Sequence, residues 1–295
     1  MSEDYSETPG APRRLLFVMA HPDDECFLSG GTIRLEANRG TWVGLALATG
    51  GQEGTVVNPE LQGRIDPAQL PAIRQQELSC SARTLGIART WDLGYRDSGM
   101  EGSESSRRPE AFVNQDEDNA VEHVVALMRR ARPQVVVTFD EHGGYGHPDH
   151  IKINRVTRQA FERSGDGVWY PEAGDPWSPV KLYYVVVPEE LIRRAREAFE
   201  QHAETFSVET GLPRDRPPLY PDEDVTTIVD ISSTVLQKRE ALRCYRTQTP
   251  PDFFVVRASD DVAREGLNRE YFVLIRSSVK TEVPEHDLFA GVPAP

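Results

Sequence analysis

The stretch LLFVMAHPDDE, from Leu15 to Glu25, decides the fold and raises a chemical question. The apolar run Leu15–Ala20 predicts a buried strand of a parallel sheet. A histidine, a proline and three consecutive acids follow it directly. Neighbouring carboxylates repel one another, so the cluster is either a solvated helix start or a site that expects a cation.

Length and charge narrow the class of protein. The chain has 295 residues, 33 of them basic and 47 acidic, with a net charge of −14. This length suits one large α/β domain. A surface this acidic repels nucleic acid and anionic membranes, so we expect neither as a partner.

The cysteines and the N-terminus bear on the cellular location. Cys26, Cys80 and Cys244 are odd in number, far apart and without a CxxC pair, so we expect no disulfide framework and a reducing cytoplasm. Residues 1–12 are polar and acidic, unlike a signal peptide, and the apolar run after them is too short to span a membrane. We interpret residues 1–12 as a disordered tail.

Short apolar runs alternate with helical patterns along the chain. This alternation predicts a Rossmann-like, mainly parallel α/β sheet with helices on both faces. The predicted strands are Leu15–Ala20, Trp42–Ala48, WDLGY near Trp91, Gln134–Phe139, KLYYVVV, VTTIVDIS and YFVLIR. The predicted helices are FLSGGTIRLEANRG, PAIRQQELSCSARTLG, Asp118–Ala131, Asp149–Arg163, PEELIRRAREAFEQH and VLQKREALRCY.

Loops longer than about fifteen residues interrupt this pattern three times, which favours an enzyme whose loops at the strand C-termini build the active site. We expect a catalytic core over residues 13–170. A smaller C-terminal α/β portion, residues 171–295, is expected to complete the sheet and the substrate pocket of a single domain.

Two similar motifs follow predicted strands: HPDD at residues 21–24 and HPDH at residues 147–150. Ligands of open α/β sheets bind at the carboxyl ends of the strands. Each motif opens a predicted helix with a proline in the first turn, so its first and last residues can face one locus. Imidazole plus carboxylate without thiolate suits Zn²⁺ or another borderline metal, such as Fe²⁺.

AHPDDE followed by GGTI, with a later GHPDH, resembles the LmbE-like family of zinc de-N-acetylases. That family includes phosphatidylinositol N-acetylglucosamine deacetylases and the deacetylases and amidases of mycothiol and bacillithiol metabolism. The stretches Gly94–Met100 (GYRDSGM) and Gly143–Ile151 (GGYGHPDHI) are most similar to the mycothiol-type enzymes. The resemblance covers about residues 15–160 and is looser in the C-terminal third.

The resemblance implies roles for the matching residues. His21, Asp24 and His150 resemble the zinc ligands, Asp23 resembles the general base, and His147 resembles the histidine that faces the developing oxyanion. The implied reaction is hydrolysis of an N-acyl amide. In that reaction a bound metal would lower the pKa of a water toward ~7, and Asp23 would accept the proton of that water.

Further roles follow from the same resemblance. Asp149 would orient His147 through a ring nitrogen, and Tyr145 matches a tyrosine that can swing over the substrate carbonyl. The residues implied in substrate binding or its support are Arg74, Asp97, Met100 and Glu53.

Simpler interpretations stay open. Arg74 can serve merely as an ion-pair partner of Glu77 or Glu53, Tyr145 can be a plain turn residue, and Asp97 before Ser-Gly fits ordinary turn chemistry. Cys26 is expected to pack as a small hydrophobe. The histidines without convincing partners, expected at the surface or satisfied, are His123, His142, His202 and His286.

The sequence departs from the family pattern at two places. Leu28 stands where conjugate amidases tend to have a lysine, which disfavours the conjugate-amidase alternative, and residues 49–53 read TGGQE instead of the usual family turn. Three other classes of protein are disfavoured. The chain lacks the lysine that a receiver module needs and the GxGxxG motif of dinucleotide binding. The presence of Asp23 and His147 argues against a non-catalytic relative.

We therefore predict a zinc-dependent hydrolase that removes acetate from an N-acetylglucosaminyl compound. The alternative within the family is an amidase acting on thiol or other sugar conjugates. The expected partner is a small-molecule N-acetylated sugar conjugate, and a homo-oligomer is possible.

Overall fold

One sheet organises the part of the chain that the computed structural model describes, residues 13–206 and 219–293. The predicted tail, residues 1–12, lies outside this part. The strands are β1 (Arg14–Met19), β2 (Trp42–Thr49), β3 (Arg89–Tyr95), β4 (Val135–Phe139), β5 (Lys181–Val186), β6 (Thr227–Asp230) and β7 (Arg269–Ser277). Each of them overlaps a predicted strand, with ends that differ by at most two residues.

The strands lie side by side in the order β3-β2-β1-β4-β5-β7-β6. Strands β1 to β5 pair in parallel, whereas β7 pairs antiparallel with both β5 and β6. The apolar strands β1, β2 and β4 are buried almost along their whole lengths, as central parallel strands covered on both faces should be. The predicted, mainly parallel α/β sheet is confirmed. The antiparallel edge is an addition that the short apolar runs did not reveal.

Helices connect the strands and pack in groups. In the described residues they are α1 (Asp24–Asn38), α2 (Leu70–Leu85), α3 (Glu117–Ala131), α4 (Gly143–Gly146), α5 (Pro148–Arg163), α6 (Glu189–Gln201), α7 (Val235–Cys244), α8 (Phe254–Arg257) and α9 (Asp260–Gly266). Helices α1, α2 and α7 pack against one another, and α3 packs against α5. None of these helices is both long enough and apolar enough to cross a membrane.

The strand order reverses between β1 and β4. From β1 the chain continues outward to β2 and β3, and from β4 it continues in the opposite direction to β5. Such a reversal opens a crevice at the carboxyl ends of the two central strands, which is where α/β sheets bind ligands. The HPDD motif follows β1 and the HPDH motif follows β4, so the topology brings both motifs to this crevice.

A disulfide joins Cys80 in α2 to Cys244 at the end of α7, with the Cα atoms 5.7 Å apart. The expectation of no disulfide is therefore wrong. Because α2 and α7 pack together, they bring into contact two cysteines that are 164 positions apart, a pairing that sequence spacing could not reveal. The cytoplasmic prediction loses the support it drew from unpaired cysteines. Cys26 is a buried free thiol, as expected.

Candidate metal centre and active site

Both motifs lie where β1 and β4 end. His21 follows β1, and α1 begins at Asp24. After β4, the single turn α4 leads to His147, whose ring caps α5. Its Nδ1 accepts a hydrogen bond, 3.2 Å long, from the main-chain N–H of Asp149. Each motif therefore begins a helix, as predicted, and the two helix starts face one crevice.

The three predicted metal ligands lie together. His21 Nδ1 is 3.1 Å from His150 Nε2 and 3.7 Å from Asp24 Oδ2. His150 Nε2 is 3.4 Å from Asp24 Oδ1. Nitrogen and oxygen donors at about 2.0–2.2 Å from a tetrahedral zinc ion are roughly 3.3–3.6 Å from one another. The spacing and the types of donor fit zinc or another borderline divalent metal.

The electrostatic potential of the cluster also favours a cation. Burial alone would lower the pKa of His21, but the carboxylates of Asp97, Asp149 and Asp24 outweigh it and raise this pKa well above its ordinary value. A positive charge is thus stabilised at the His21 ring although the ring is buried. The donor set fits a divalent metal both in spacing and in charge.

The second ring nitrogen of each candidate histidine ligand has a partner. His150 Nδ1 lies 3.2 Å from the carbonyl oxygen of Gly143, and His21 Nε2 lies 3.2 Å from Asp149 Oδ2. Such contacts orient metal-binding imidazoles. Asp149 does contact a ring nitrogen of His147, as predicted, but through its main-chain N–H and not through its carboxylate. Its carboxylate extends across the crevice to His21.

The loop after β3 fixes the carboxylate of Asp149. Ser98 donates to this carboxylate through its hydroxyl and through its main-chain N–H, the latter at 2.9 Å. Beside it, Asp97 Oδ1 lies 3.6 Å from His21 Nε2 and accepts a hydrogen bond of 2.8 Å from the N–H of Gly99. Asp97 is therefore both a turn residue and a member of the cluster. Sequence reasoning missed Ser98, although it lies within the quoted GYRDSGM motif.

His147 is held as a neutral hydrogen-bond donor. Burial, together with the rings of His21 and His150, lowers the pKa of His147 to about 2. Because Nδ1 accepts the N–H of Asp149, the proton of the neutral ring belongs on Nε2. That atom lies 4.0 Å from Asp97 Oδ1, beyond hydrogen-bond distance. The Nε2–H group can therefore donate to a molecule bound in the crevice.

Asp23 combines a strained main chain with a basic carboxylate. Its φ of 117° lies in the left-handed region, which residues other than glycine seldom adopt. Burial raises the pKa of Asp23 to about 8, although the charge of Arg74 opposes this shift. A carboxylate with a pKa in this range can accept a proton near neutral pH.

Arg74 is buried beside Asp23. Its NH2 group lies 3.0 Å from Asp23 Oδ2, and its guanidinium also donates to the carbonyl oxygens of Pro22 at 2.5 Å and Gly51 at 2.8 Å. The alternative pairing of Arg74 with Glu77 or Glu53 is not observed. Glu77 binds the backbone and hydroxyl of Thr247, and Glu53 pairs with other arginines.

Comparison with known proteins identifies the family. The family model PIG-L, described as GlcNAc-PI de-N-acetylase, matches residues 16–161. A 1D-myo-inositol 2-acetamido-2-deoxy-alpha-D-glucopyranoside deacetylase of Geodermatophilus obscurus is 40% identical over 290 residues, covering 95% of this chain and 98% of its own. The chain belongs to the PIG-L family of de-N-acetylases. It is an enzyme that acts on an amide bond.

A second relative agrees with this assignment, and one solved structure shares the fold. A relative of Rhodococcus jostii with the same description is 39% identical over 304 residues, covering 95% of this PIG-L chain and 98% of its own. The N,N'-diacetylchitobiose deacetylase from Pyrococcus horikoshii, 20% identical, superposes with a TM-score of 0.61 over 89% of this chain and 84% of its own. The second comparison shows a shared fold.

A cavity of about 520 Å³ opens beside the metal cluster of the PIG-L enzyme. Asp23, Arg74 and Tyr145 line it close to the cluster, and Glu53 and the half-exposed Met100 line it as well. The Tyr145 ring meets the His150 ring edge-on, 5.0 Å between centroids. The predicted site residues thus share one cavity, except for Asp149, which is fully buried behind His21.

The C-terminal third of the chain supplies much of the remaining wall. Most of the lining residues from this third are apolar, and sequence reasoning missed them because no motif marks them. They are Val187, Leu191, Ile192, Leu219, Tyr220, Pro250, Phe253, Phe254, Val255 and Leu267. From the N-terminal part, Phe27 and Leu28 join this apolar wall.

Of the histidines that the sequence left without a role, one reaches the cavity. His142 lines it from the turn before α4. The others contact a tyrosine, a glutamate and a carbonyl group: His123 with Tyr95, His202 with Glu265, and His286 with Ile228.

Proposed function

We propose that this PIG-L enzyme removes the acetyl group from an N-acetylglucosaminyl inositol, the compound for which its relatives are named. The observation that carries the proposal is the convergence of HPDD and HPDH on one cavity in a chain 40% identical to such a deacetylase. The polar end of the cavity suits an amide joined to a sugar.

The metal is part of the proposal. His21, Asp24 and His150 would hold zinc or another divalent metal, with Asp149 and Gly143 orienting the two rings. When bound, the metal supplies Lewis acidity and lowers the pKa of a water toward ~7.

Asp23 is the proposed general base. Its carboxylate lines the cavity and is fixed on one side by Arg74, which leaves it the capacity to accept the proton of the attacking water. Arg74 neutralises part of the charge of the neighbouring carboxylates and, from the cavity wall, can also meet a sugar hydroxyl. After it has accepted the proton of the water, Asp23 is also the proposed donor of that proton to the leaving amine.

His147 and Tyr145 are proposed to stabilise the oxyanion. The Nε2–H group of His147 is a fixed donor, and burial raises the pKa of Tyr145, so its hydroxyl keeps its proton. Asp97, Glu53 and Met100 are proposed to bound the sugar pocket, because all three line the cavity that holds the cluster.

A second candidate activity is hydrolysis of a larger sugar conjugate that carries an apolar substituent. The apolar wall formed by Phe27, Leu28, Leu191, Phe253 and Val255 favours it, since such side chains offer little to the hydroxyls of an inositol. The two candidates share the chemistry of the cluster and differ in the group that fills the rest of the cavity.

Amine release tests the proposal. Enzyme stripped of metal and reconstituted with Zn²⁺ should release a primary amine from N-acetylglucosaminyl inositol, measured with an amine-reactive fluorophore. Metal-free enzyme is the control. A matched N-acetylglucosaminide with an apolar aglycone distinguishes the two candidates by kcat/KM. No amine release from either compound by enzyme loaded with zinc would overturn the proposed function.

A further inference from the structure

Glu25, the third acid of the opening motif, is fully buried beside the metal cluster. Its Oε1 accepts hydrogen bonds from the hydroxyls of Ser81, at 2.7 Å, and Tyr245, at 2.8 Å. Its Oε2 accepts a hydrogen bond of 3.1 Å from the main-chain N–H of Asp23. A buried carboxylate is costly unless such bonds satisfy it. We call Glu25, Ser81 and Tyr245 the Glu25 clamp.

The Glu25 clamp binds the main chain of Asp23, which is strained. Asp23 has φ 117° and ψ −29°, and such a conformation persists only where the surroundings fix it. On one side its N–H is held by Glu25. On the other side its carbonyl oxygen accepts the N–H groups of Cys26 and Phe27, at 3.0 Å and 3.1 Å. The main chain of Asp23 is therefore fixed from both directions.

The clamp also connects distant parts of the chain. Ser81 lies in α2, and Tyr245 directly follows α7 in the C-terminal third. Both side chains are fully buried. The disulfide joins Cys80 and Cys244, which are the residues immediately before these two hydroxyl donors. The packing of α2 on α7 thus brings both donors to the Glu25 carboxylate.

We propose that Glu25 is a positioning residue for the reaction: it holds the main chain of Asp23 so that the Asp23 carboxylate keeps its productive direction. The inference rests on the proposed function, in which Asp23 is the base. It gives the third acid a task separate from that of Asp24, the proposed ligand. A small misplacement of a catalytic group is enough to reduce a rate strongly.

Substitution of Glu25 tests the inference, because a positioning residue should affect kcat while leaving metal binding unchanged. Glu25→Leu removes the acceptor at similar volume and should lower kcat by about 10- to 100-fold, leaving KM and zinc content within about twofold. Glu25→Gln should keep most of kcat. The hydroxyls of Ser81 and Tyr245 can turn to accept from its amide, so its oxygen stays on the Asp23 N–H. Tyr245→Phe gives a milder loss and serves if Glu25→Leu does not fold.

Matched controls separate positioning from general stability. Glu36 is also buried in α1, where its carboxylate accepts from Arg39 at 2.6 Å and Thr41 at 2.8 Å. Glu36→Leu should lower thermal stability without lowering kcat of the folded enzyme. For Tyr245→Phe, the control is Tyr183→Phe, since the Tyr183 hydroxyl also donates to a buried glutamate. Equal losses of kcat in variants and controls would overturn the inference.

A double-mutant cycle decides whether Glu25 acts through Asp23. In the Asp23→Asn background, Glu25→Leu should cause no further loss of kcat. Additive losses, or a loss of zinc in Glu25→Leu, would overturn this inference and leave the proposed function intact. Full kcat in Asp23→Asn itself would remove both the base assignment and this inference.

Discussion

The carboxylate of Asp149 contacts a ring nitrogen of His21, with 3.2 Å between Oδ2 and Nε2, although 128 positions separate the two residues. This contact joins the start of α5 to the end of β1. The other nitrogen of the same ring lies among the donors of Asp24 and His150. Asp149 therefore connects the two halves of the candidate metal site.

Loss of this contact should weaken metal binding. Asp149→Asn removes the charge that orients the His21 ring and should lower zinc affinity about 10- to 100-fold. Competition with a chromophoric chelator measures it. Asp116→Asn, the same change at the N-cap of α3, is the control and should leave zinc affinity unchanged. Unaltered affinity in Asp149→Asn would mean that the contact has no influence on the metal.

The adjacent acids Asp23 and Asp24 should respond differently to the same change. Asp24→Asn should bind zinc poorly, and excess metal should restore part of its activity, because an amide is the weaker ligand. Asp23→Asn should keep its zinc and lose about 10²–10⁴-fold in kcat. Metal content and kcat are measured on both variants. Similar behaviour of the two would favour a solvated helix start instead of a catalytic metal site.

Arg74→Ala should reduce kcat and not only raise KM. The guanidinium is bonded to Asp23 and to the carbonyl groups of Pro22 and Gly51, so its removal frees the proposed base. The loss should be about 10- to 100-fold in kcat/KM, from ~1.5–3 kcal/mol for hydrogen bonds to charged groups. Steady-state kinetics with Arg74→Lys as the conservative comparison measure it. A pure KM effect would assign Arg74 to the substrate alone.

A buried ion pair far from the metal should make stability depend on pH. Lys181 Nζ lies 2.6 Å from Glu285 Oε1, with both side chains fully buried. Burial alone would raise the pKa of Glu285, but hydrogen bonds from Lys181 and the neighbouring hydroxyls outweigh burial and lower this pKa. A lowered pKa in the folded state stabilises the protein above the unfolded-state pKa of ~4.3, and this contribution is lost as the pH falls through the lower, folded-state pKa.

Glu285→Gln should therefore lower the free energy of unfolding by about 3–5 kcal/mol at neutral pH, because it leaves the charge of Lys181 buried without a partner. The difference from the unmodified enzyme should shrink below about pH 4, as measured by urea unfolding at several pH values. Glu197→Gln, in the exposed pair with Arg193, should change little. A difference that stays constant into acid would contradict the assignment.

Local patterns made the fold and the cluster predictable. The run Leu15–Ala20 and the strand before the HPDH motif are apolar enough to specify central strands, and each motif has the signals of a helix start. Given parallel strands, the carboxyl ends had to meet at one edge. The meeting of His21, Asp24 and His150 follows from these two facts.

Contacts between distant elements were not predictable. The family resemblance assigned Asp149 to His147, whereas packing directs the Asp149 carboxylate to His21 and leaves only its main-chain N–H on the His147 ring. Likewise, no local signal connects Glu25 with Tyr245, 220 positions away. Such pairings depend on which helices pack against one another, and one sequence does not carry that information.

The bond between Cys80 and Cys244 closes a ring of chain that contains strands β3 to β6. An unfolded chain with so long a closed loop has less conformational freedom, worth about 5 kcal/mol at 25 °C in the loop-entropy model. Dithiothreitol should therefore lower Tm, and a variant with both Cys80→Ser and Cys244→Ser should have the lower Tm with or without it. The enzyme would then have two stabilities, and the thiol–disulfide balance of its surroundings would select between them.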